Sequence, residues 1–348
     1  MLLYIHIPYC DSKCHYCNFN SFTDRSHSKE EYIGALQTQL AHVLEKTPKD
    51  SIESVFIGGG TPSTIAPQAY ASIFEMLDGY LQEGCEVTSE ANPNSATLSW
   101  LDGMRRLGVN RVSFGVQSFD SDKLKLLNRS HTPQIAKEAI INAHQIGFEN
   151  ISLDIIYNVA GDSKELLLDD INTAFALPIN HLSAYELTIE LHTHFAKMPQ
   201  MRVESLEFAH LIRDEIKARG FEQYEVSNYG SYRSKHNMGY WQLKEYLGVG
   251  AGAVGFVGNK RLYPHSDIDS YIANPLHQEI EKLSEEDILL ERLFLGLRSK
   301  VGVNQNLLTA PMQQRANVLV EERKLDFEEG IYYNKEYLLS DEIALYLS

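Results

Sequence analysis

The sequence predicts an α/β protein whose parallel strands wrap into a barrel, complete or partial, followed by a smaller helical domain. Three observations carry that expectation. Through the first two thirds of the chain, short apolar runs alternate with stretches of helical period, six βα units in succession. Polar or glycine-rich residues recur at the carboxyl end of each run, and a barrel gathers those ends around one mouth where an open sheet would scatter some of them. No Gly-x-Gly-x-x-Gly follows the first run, which weighs against an open dinucleotide-binding sheet.

The elements follow in order. Strands are expected at Leu2–Ile7, Ser54–Ile57, Glu86–Glu90, Arg111–Val116, Asn150–Tyr157 and His181–Glu186. Helices are expected between and after them, at Lys29–Glu45, Gln68–Leu81, Thr97–Leu107, Pro133–Ile146, Lys164–Ala176 and Ser205–Ala218. Gly108, Gly147 and Gly220 stand where helix ends need a left-handed residue. The first strand runs into a cysteine loop, the second into Gly58-Gly59-Gly60-Thr61-Pro62, and the third into Glu90-Ala91-Asn92-Pro93. The fourth ends at Gln117, the fifth carries Asp154, and the sixth ends near Ala184-Tyr185-Glu186.

The rhythm changes near residue 221. Phe221–Ser227 reads as one more strand, followed by a polar and aromatic stretch containing His236, Asn237, Tyr240 and Trp241. The glycines of Tyr246–Ala253 imply close backbone packing. Asn274-Pro275 marks a boundary, giving units at 1–220, 221–275 and 276–348. The last unit reads as a helix at Ser284–Arg298, one or two short helices, a hairpin at Leu325–Tyr333 turning on Glu329-Gly330, and a final helix. That order is winged-helix-like, but its acidic character points to a cover for the barrel rather than to DNA binding.

The chemistry starts at Cys10, Cys14 and Cys17, spaced C-x3-C-x2-C. Three thiolates on one loop can hold a metal centre with one position unfilled. Iron–sulfur clusters are usually held by four Cys, so a three-Cys cluster keeps one iron open for the amino and carboxylate groups of S-adenosylmethionine (SAM). The alternative is a structural zinc, with His6, His15 or a distant residue as fourth ligand, although zinc sites usually pair two knuckles and no second knuckle is present. Cys85 precedes a β-rich run and reads as a small core residue.

Composition narrows the field. The formal net charge of −16 argues against nucleic acid or an anionic membrane surface as the main partner. Four cysteines, three of them in one loop, make no disulfide framework and favour a reducing compartment. There is no signal-like start and no apolar span of about 20 residues, so a cytoplasmic protein without a membrane segment is expected.

At the strand ends, the glycine run implies close backbone approach. Glu90 is suited to ribose hydroxyls or an ammonium, and Arg129 to a carboxylate held bidentately. Gln117 and Asp154 are similar candidates, and Tyr16 can stack on a base or pack the loop. Each of these is also an ordinary structural residue type. His236 sits among groups able to flank a flat macrocycle, and imidazole is a normal axial ligand of haem iron; His192 and His194 are competitors.

Taken together, these segments resemble the radical SAM proteins of the oxygen-independent coproporphyrinogen oxidase (HemN-like) family. The resemblance rests on Tyr4-Ile5-His6-Ile7-Pro8 with the cysteines, Phe56–Ser63, Glu90–Pro93, Ser113–Phe119, Ile151–Tyr157, Tyr224–Tyr229 and His236–Trp241. It implies a partial (βα)6 barrel with a C-terminal helical domain, and a 4Fe-4S cluster on the three cysteines. The implied SAM contacts are Tyr4, Gly60, Thr61, Glu90, Gln117, Arg129, Asp154 and Ala184, with Tyr16 on the adenine side.

The oxidase branch carries a further cysteine two residues after the third and a long segment ahead of the first. Here Phe19 holds that position and nine residues precede Cys10. The His-Asn-x-x-Tyr-Trp stretch, His236, Asn237, Tyr240 and Trp241, is similar to the haem-chaperone branch. That similarity implies haem binding through the stretch and transfer of haem to acceptor haemoproteins, respiratory ones among them, with SAM cleavage open. The alternative is oxidative decarboxylation of coproporphyrinogen III. Asn18 stands where the branch commonly has Asp, and Asn158-Val159-Ala160 replaces a usual Gly-Leu-Pro.

Overall fold

A computed structural model describes residues 1–348. The first six strands are β1 (Leu2–Ile7), β2 (Ile52–Gly59), β3 (Leu81–Ala91), β4 (Arg111–Gln117), β5 (Asn150–Tyr157) and β6 (His181–Glu186), each paired in parallel with the next. The helices joining them are α1 (Lys29–Leu44), α2 (Pro67–Leu77), α3 (Leu98–Leu107), the short α4 (Ser121–Leu126), α5 (Pro133–Ile146) and α6 (Lys164–Phe175); α7 (Leu206–Ala218) follows β6. Side-chain alternation explains the layering. Leu3, Ile5 and Ile7 of β1 join a core of 50 buried residues shared with the helices, while Tyr4 and His6 point into the barrel toward Phe56 and the cysteine loop.

The wall does not close on itself. The six-stranded parallel arc is flanked on both sides by further strands of the same sheet, beyond β6 at one edge and beyond β1 at the other. Beyond β6, Phe221–Ser227 does not form the seventh strand that its sequence suggests. Only Glu222–Gln223 (β7) is extended; the chain turns and returns as Asn228–Gly230 (β8), antiparallel to both β7 and β6. After α8 (Lys235–Trp241), the segment Tyr246–Val249 becomes β9, parallel to β1. Gly248 has no room for a side chain there: a Cβ would stand 2.3 Å from the carbonyl oxygens of Ala253 and Val254. The antiparallel strands β10 (Gly255–Val257), β11 (Lys260–Pro264) and β12 (Gln278–Lys282) continue the sheet, with α9 (Ile268–Ala273) ahead of β12.

The large sheet thus extends through Lys282, past the expected boundary at Asn274-Pro275. A second core, containing Leu293, Leu297, Met312, Leu319, Tyr332 and Leu347, belongs to the C-terminal unit. That unit is α10 (Glu285–Leu297), β13 (Val303–Asn304), α11 (Ala310–Glu321), the hairpin β14 (Leu325–Glu328) and β15 (Ile331–Asn334), and α12 (Ser340–Leu347). Ser284 and Asp287 cap α10 reciprocally. Glu329 and Gly330, both at positive φ, turn the hairpin. The unit docks through a Glu225–Ser299 bridge and the Arg213–Glu336 ion pair at 2.5 Å. At one further point the sequence pattern and the structure part. The helix expected at Gln68–Leu81 stops at Leu77, Gly79 turns the chain at φ +74°, and Leu81 opens β3.

Candidate cluster and nucleotide site

The carboxyl ends of β1 to β6 surround a cavity of about 500 Å³. Cys10, Cys14 and Cys17, all free thiols, line it together with Tyr16, Gly60, Thr61, Glu90, Gln117, Arg129 and Asp154. Of the residues expected to contact SAM, two do not line it. Tyr4 lies deeper, its hydroxyl hydrogen-bonded to His6 Nδ1 at 2.9 Å. The Ala184 side chain packs in the core, and its N–H donates to the Ser227 carbonyl at 2.8 Å.

The cysteine loop is pinned from several directions. Lys13 Nζ donates to the carbonyls of Phe19 at 2.7 Å and Ser21 at 3.1 Å, and Asn128 Nδ2 donates to the Lys13 carbonyl at 2.7 Å. The amides of Cys10 and His15 donate to the carbonyls of Phe22 and Leu127. Gly60 lets two strands meet, its N–H 2.7 Å from the Ile7 carbonyl; a Cβ there would stand 2.7 Å from the Tyr9 carbonyl oxygen.

The half-buried Arg129 organises the wall beside the loop. Its Nη1 lies 3.1 Å from Cys14 Sγ, and its Nη2 donates to Asn92 Oδ1 at 2.5 Å and to the Gly115 carbonyl. Asn92 in turn donates to Thr61 Oγ1 at 3.2 Å, and Thr61 Oγ1 lies 3.3 Å from Cys10 Sγ. Arg129 thereby links the cysteine loop to β3 and β4. Asn92 was legible only as part of Glu90–Pro93; its part in holding Arg129 depends on a fold that brings residues 37 apart together.

Two carboxylates face this wall. Glu90 Oε2 accepts from the Gly59 amide at 3.1 Å. Burial, reinforced by the nearby Asp154, pushes the Glu90 pKa up to about 7. Burial likewise pushes Asp154 up to about 6, against the pull of a Ser183 hydrogen bond and of Arg111 and Arg129. Gln117 sits at φ +73°, with its Oε1 buried and without a donor. A cationic, hydrogen-bond-rich ligand would satisfy all three groups: carboxylates to balance, and an orphaned acceptor to fill.

The donor set bears on what the cysteines hold. Three thiolates on one zinc ion would lie about 4 Å apart, given Zn–S bonds of about 2.3 Å. No group of three His, Cys, Asp or Glu side chains is arranged around a single ion, although the three thiols line one cavity. His6 is not free as a fourth ligand, because Nδ1 meets Tyr4 and Nε2 meets the Asn20 carbonyl at 2.8 Å. Three thiols at one mouth, with His6 engaged elsewhere, fit an iron–sulfur cluster for which Cys10, Cys14 and Cys17 would be the protein ligands.

His236, Asn237, Tyr240 and Trp241 are not at this mouth. They form α8, which lies against the amino-terminal half of β2, at the opposite end of the barrel. Glu86 on β3 accepts from the backbone amides of Lys235 at 2.9 Å and His236 at 3.0 Å, and from Ser234 Oγ and the Tyr232 hydroxyl. His236 is 1% exposed, with Nδ1 bonded to Ser54 Oγ at 2.9 Å and Nε2 to the Tyr240 hydroxyl at 3.0 Å. An axial haem ligand needs one nitrogen free and an open face, and His236 has neither in this fold. The expectation that this stretch lines an inserted haem site therefore meets a physical objection: α8 packs onto β2 and β3 and stoppers the amino-terminal end of the barrel. His192 and His194 are both exposed, and the His194 ring stacks on that of His15 in the cysteine loop.

The radical SAM superfamily model matches residues 4–174. The heme chaperone HemW of Bacillus subtilis (strain 168) is 32% identical over 351 aligned residues, covering 96% of this chain and 93% of that protein. The heme chaperone HemW of Escherichia coli (strain K12) is 37% identical over 269 residues, covering 73% of this chain and 70% of that one. Among solved structures, the radical SAM coproporphyrinogen III oxidase HemN of Escherichia coli superposes with a TM-score of 0.82 over 99% of this chain and 89% of that one, at 20% identity.

Proposed function

The chain belongs to the HemW/HemN-like radical SAM proteins, and from that premise we propose that it binds a 4Fe-4S cluster and SAM at the barrel mouth and carries haem for delivery to acceptor haemoproteins. The carrying observation is the convergence of Cys10, Cys14 and Cys17 with Gly60, Thr61, Glu90, Gln117, Arg129 and Asp154 on one cavity. The cysteines would hold the cluster, which when bound supplies an open iron and an electron source. Glu90 and Asp154 offer anionic charge to the ammonium and sulfonium of SAM. Arg129 keeps its guanidinium beside the cysteine loop, and Gly60 and Thr61 allow close backbone approach.

The haem-carrying part of the reading draws on the heme chaperones named above and on the charge of the cavity. A coproporphyrinogen site must neutralise four carboxylates. The basic residues lining this cavity are Lys13 and Arg129, and both are engaged within the protein, whereas Glu90, Asp154, Glu186 and Glu190 are acidic. That balance disfavours decarboxylation of coproporphyrinogen, as does Phe19 at the position of the oxidase cysteine.

The test is anaerobic purification with iron and sulfide analysis, followed by haem titration beside an assay for protoporphyrinogen formation. Four irons per chain, SAM binding and haem binding without porphyrinogen turnover support the proposal. Stoichiometric zinc without iron, or repeated turnover of coproporphyrinogen III, overturns it.

A further inference from the structure

The cysteine loop is seated on one strap of chain, residues 118–129, which leaves β4 after Gln117, runs through α4 and returns to the mouth at Arg129. From the end of that strap the Leu127 carbonyl accepts from the His15 amide at 3.2 Å, Asn128 Nδ2 donates to the Lys13 carbonyl at 2.7 Å, and Arg129 Nη1 lies 3.1 Å from Cys14 Sγ. The strap therefore joins two groups of the mouth, Gln117 and Arg129, to the three thiols. Its apolar anchorage is slight. Phe119 packs against the edge of the 50-residue core, while Leu127 belongs to a separate cluster of five with Ile156, Val159, Leu187 and Phe195.

A buried charge cluster holds the strap from behind. The Lys123 side chain, in the middle of α4, is 3% exposed, and its Nζ lies 2.7 Å from Asp162 Oδ1 and 3.8 Å from Asp170 Oδ2. Both aspartates are as deeply buried as the lysine. The closer pair is poorly aligned for a hydrogen bond, so its attraction is that of two charges in contact. Each carboxylate is tied to a different element. Asp170, on α6, accepts from Ser118 Oγ at 2.8 Å and from the Phe119 amide at 2.5 Å, the two residues that follow Gln117. Asp162 Oδ2 accepts from the Val159 amide at 2.9 Å and so closes the turn after β5, where Asn158 stands at φ +63°. That is the turn in which Asn158-Val159-Ala160 replaces Gly-Leu-Pro. Lys123 Nζ is the one cation that meets both.

We infer that Lys123 is a positioning residue for SAM: its ion pairs with Asp162 and Asp170 fix the strap that presents Gln117 and Arg129 and seats the cysteine loop. The inference rests on the reading that the mouth holds a cluster and SAM, and adds what keeps that mouth in register. Lys123 lines no part of the cavity, so it acts through the strap alone. Removing the ammonium leaves two buried carboxylates with no cation, and these are relieved only by taking up protons or by moving toward water. Movement of Asp170 pulls on Ser118 and Phe119, next to Gln117. Movement of α4 shifts Arg129, whose amide donates to the Leu124 carbonyl at 2.9 Å. Displacements of this kind cost affinity without removing any group that touches the ligand.

The test compares full-length, anaerobically reconstituted Lys123→Met, Lys123→Arg, Asp162→Asn and the double variant Lys123→Met/Arg129→Ala with the wild type and Arg129→Ala. Each is assayed for iron and sulfide, for fold by circular dichroism, for SAM affinity, and for the change that SAM makes in the electron paramagnetic resonance of the reduced cluster. The expected result for Lys123→Met and Asp162→Asn is a folded protein with wild-type iron, SAM affinity at least tenfold lower, and an altered response of the cluster signal to SAM. Lys123→Arg, which keeps the cation, should recover most of the affinity. Because Lys123 acts through the strap, the double variant should bind SAM no more weakly than Arg129→Ala alone. Wild-type affinity and signal in folded Lys123→Met and Asp162→Asn overturn the inference, as do losses that multiply in the double variant. Failure of both single variants to fold also overturns it, since that marks a role in stability alone. Loss of iron from a folded variant supports it, because the loop has then left its seat. A wild-type protein that takes up neither iron nor SAM overturns the reading of the mouth itself.

Discussion

The pair Glu90 and Asp154 shows how a site can be poised by what surrounds it. Both carboxyls are held above their ordinary range by burial, near 7 and 6, so each binds its proton more tightly in the folded protein than in the unfolded chain. The sign follows. Their contribution to stability is present below the ordinary carboxylate pKa and is lost as pH rises through about 6 to 7. A cationic ligand reverses this by favouring the charged forms. SAM affinity is therefore expected to rise with pH across that window, and SAM should protect the protein against heat more at pH 8 than at pH 5.5. Calorimetric titration at several pH values measures the first, and melting curves with and without SAM the second. Glu90→Ala, Arg129→Ala and Asp154→Ala should each weaken SAM at pH 8 by roughly tenfold or more, the worth of one charge-assisted hydrogen bond, about 1.5–3 kcal/mol. Equilibrium binding on reconstituted protein checks this, and unchanged affinity in all three would mean that SAM is held elsewhere.

Among the elements, α8 is the one whose role the sequence conceals. Its polar and aromatic residues have the composition of a ligand site and equally that of a satisfied polar plug. Composition cannot tell the two apart, because the partners Ser54 and Glu86 lie some 150 to 180 residues away. As a plug, α8 should fail by unfolding. Glu86→Ala strips acceptors from two backbone amides and two hydroxyls and should cost on the order of 3 kcal/mol, read from urea midpoints. His236 adds a pH signature. Burial, with Arg111 nearby, lowers its pKa from 6.5 to about 3, so its stabilising contribution is present above about 6.5 and is lost as pH falls toward 3. His236→Gln should lower stability at pH 7 and flatten that acid limb. The regular elements were easier to read. Apolar runs marked β1, β5 and β6 residue for residue, and helix-capping residues such as Thr97, Thr132 and Ser163 stand where the patterned helices begin. Strand β9 escaped notice because its glycines carry no pattern until β1 lies beside them.

At the scale of the whole molecule, the cysteines and the strand-end residues were legible because each belongs to a short contiguous motif. The networks that link those motifs, Arg129 with Asn92 and Thr61, were not, because only the curved arc of strands brings them together. The C-terminal unit has its own core, joined to the barrel through Arg213–Glu336 and Glu225–Ser299. Arg213→Ala should loosen that contact with little effect at the mouth. A lower melting temperature with unchanged SAM affinity is the expected pair of results, and altered SAM affinity would show that the unit reaches the site.

The plug has a consequence for how such chains are sorted. His236, Asn237, Tyr240 and Trp241 mark a branch by eye, yet in this fold they record how one end of the barrel is stoppered. A gene classified by that signature is classified by its architecture. A descendant that had given up its cargo would still carry the label, and a carrier that stoppered its barrel differently would be filed elsewhere.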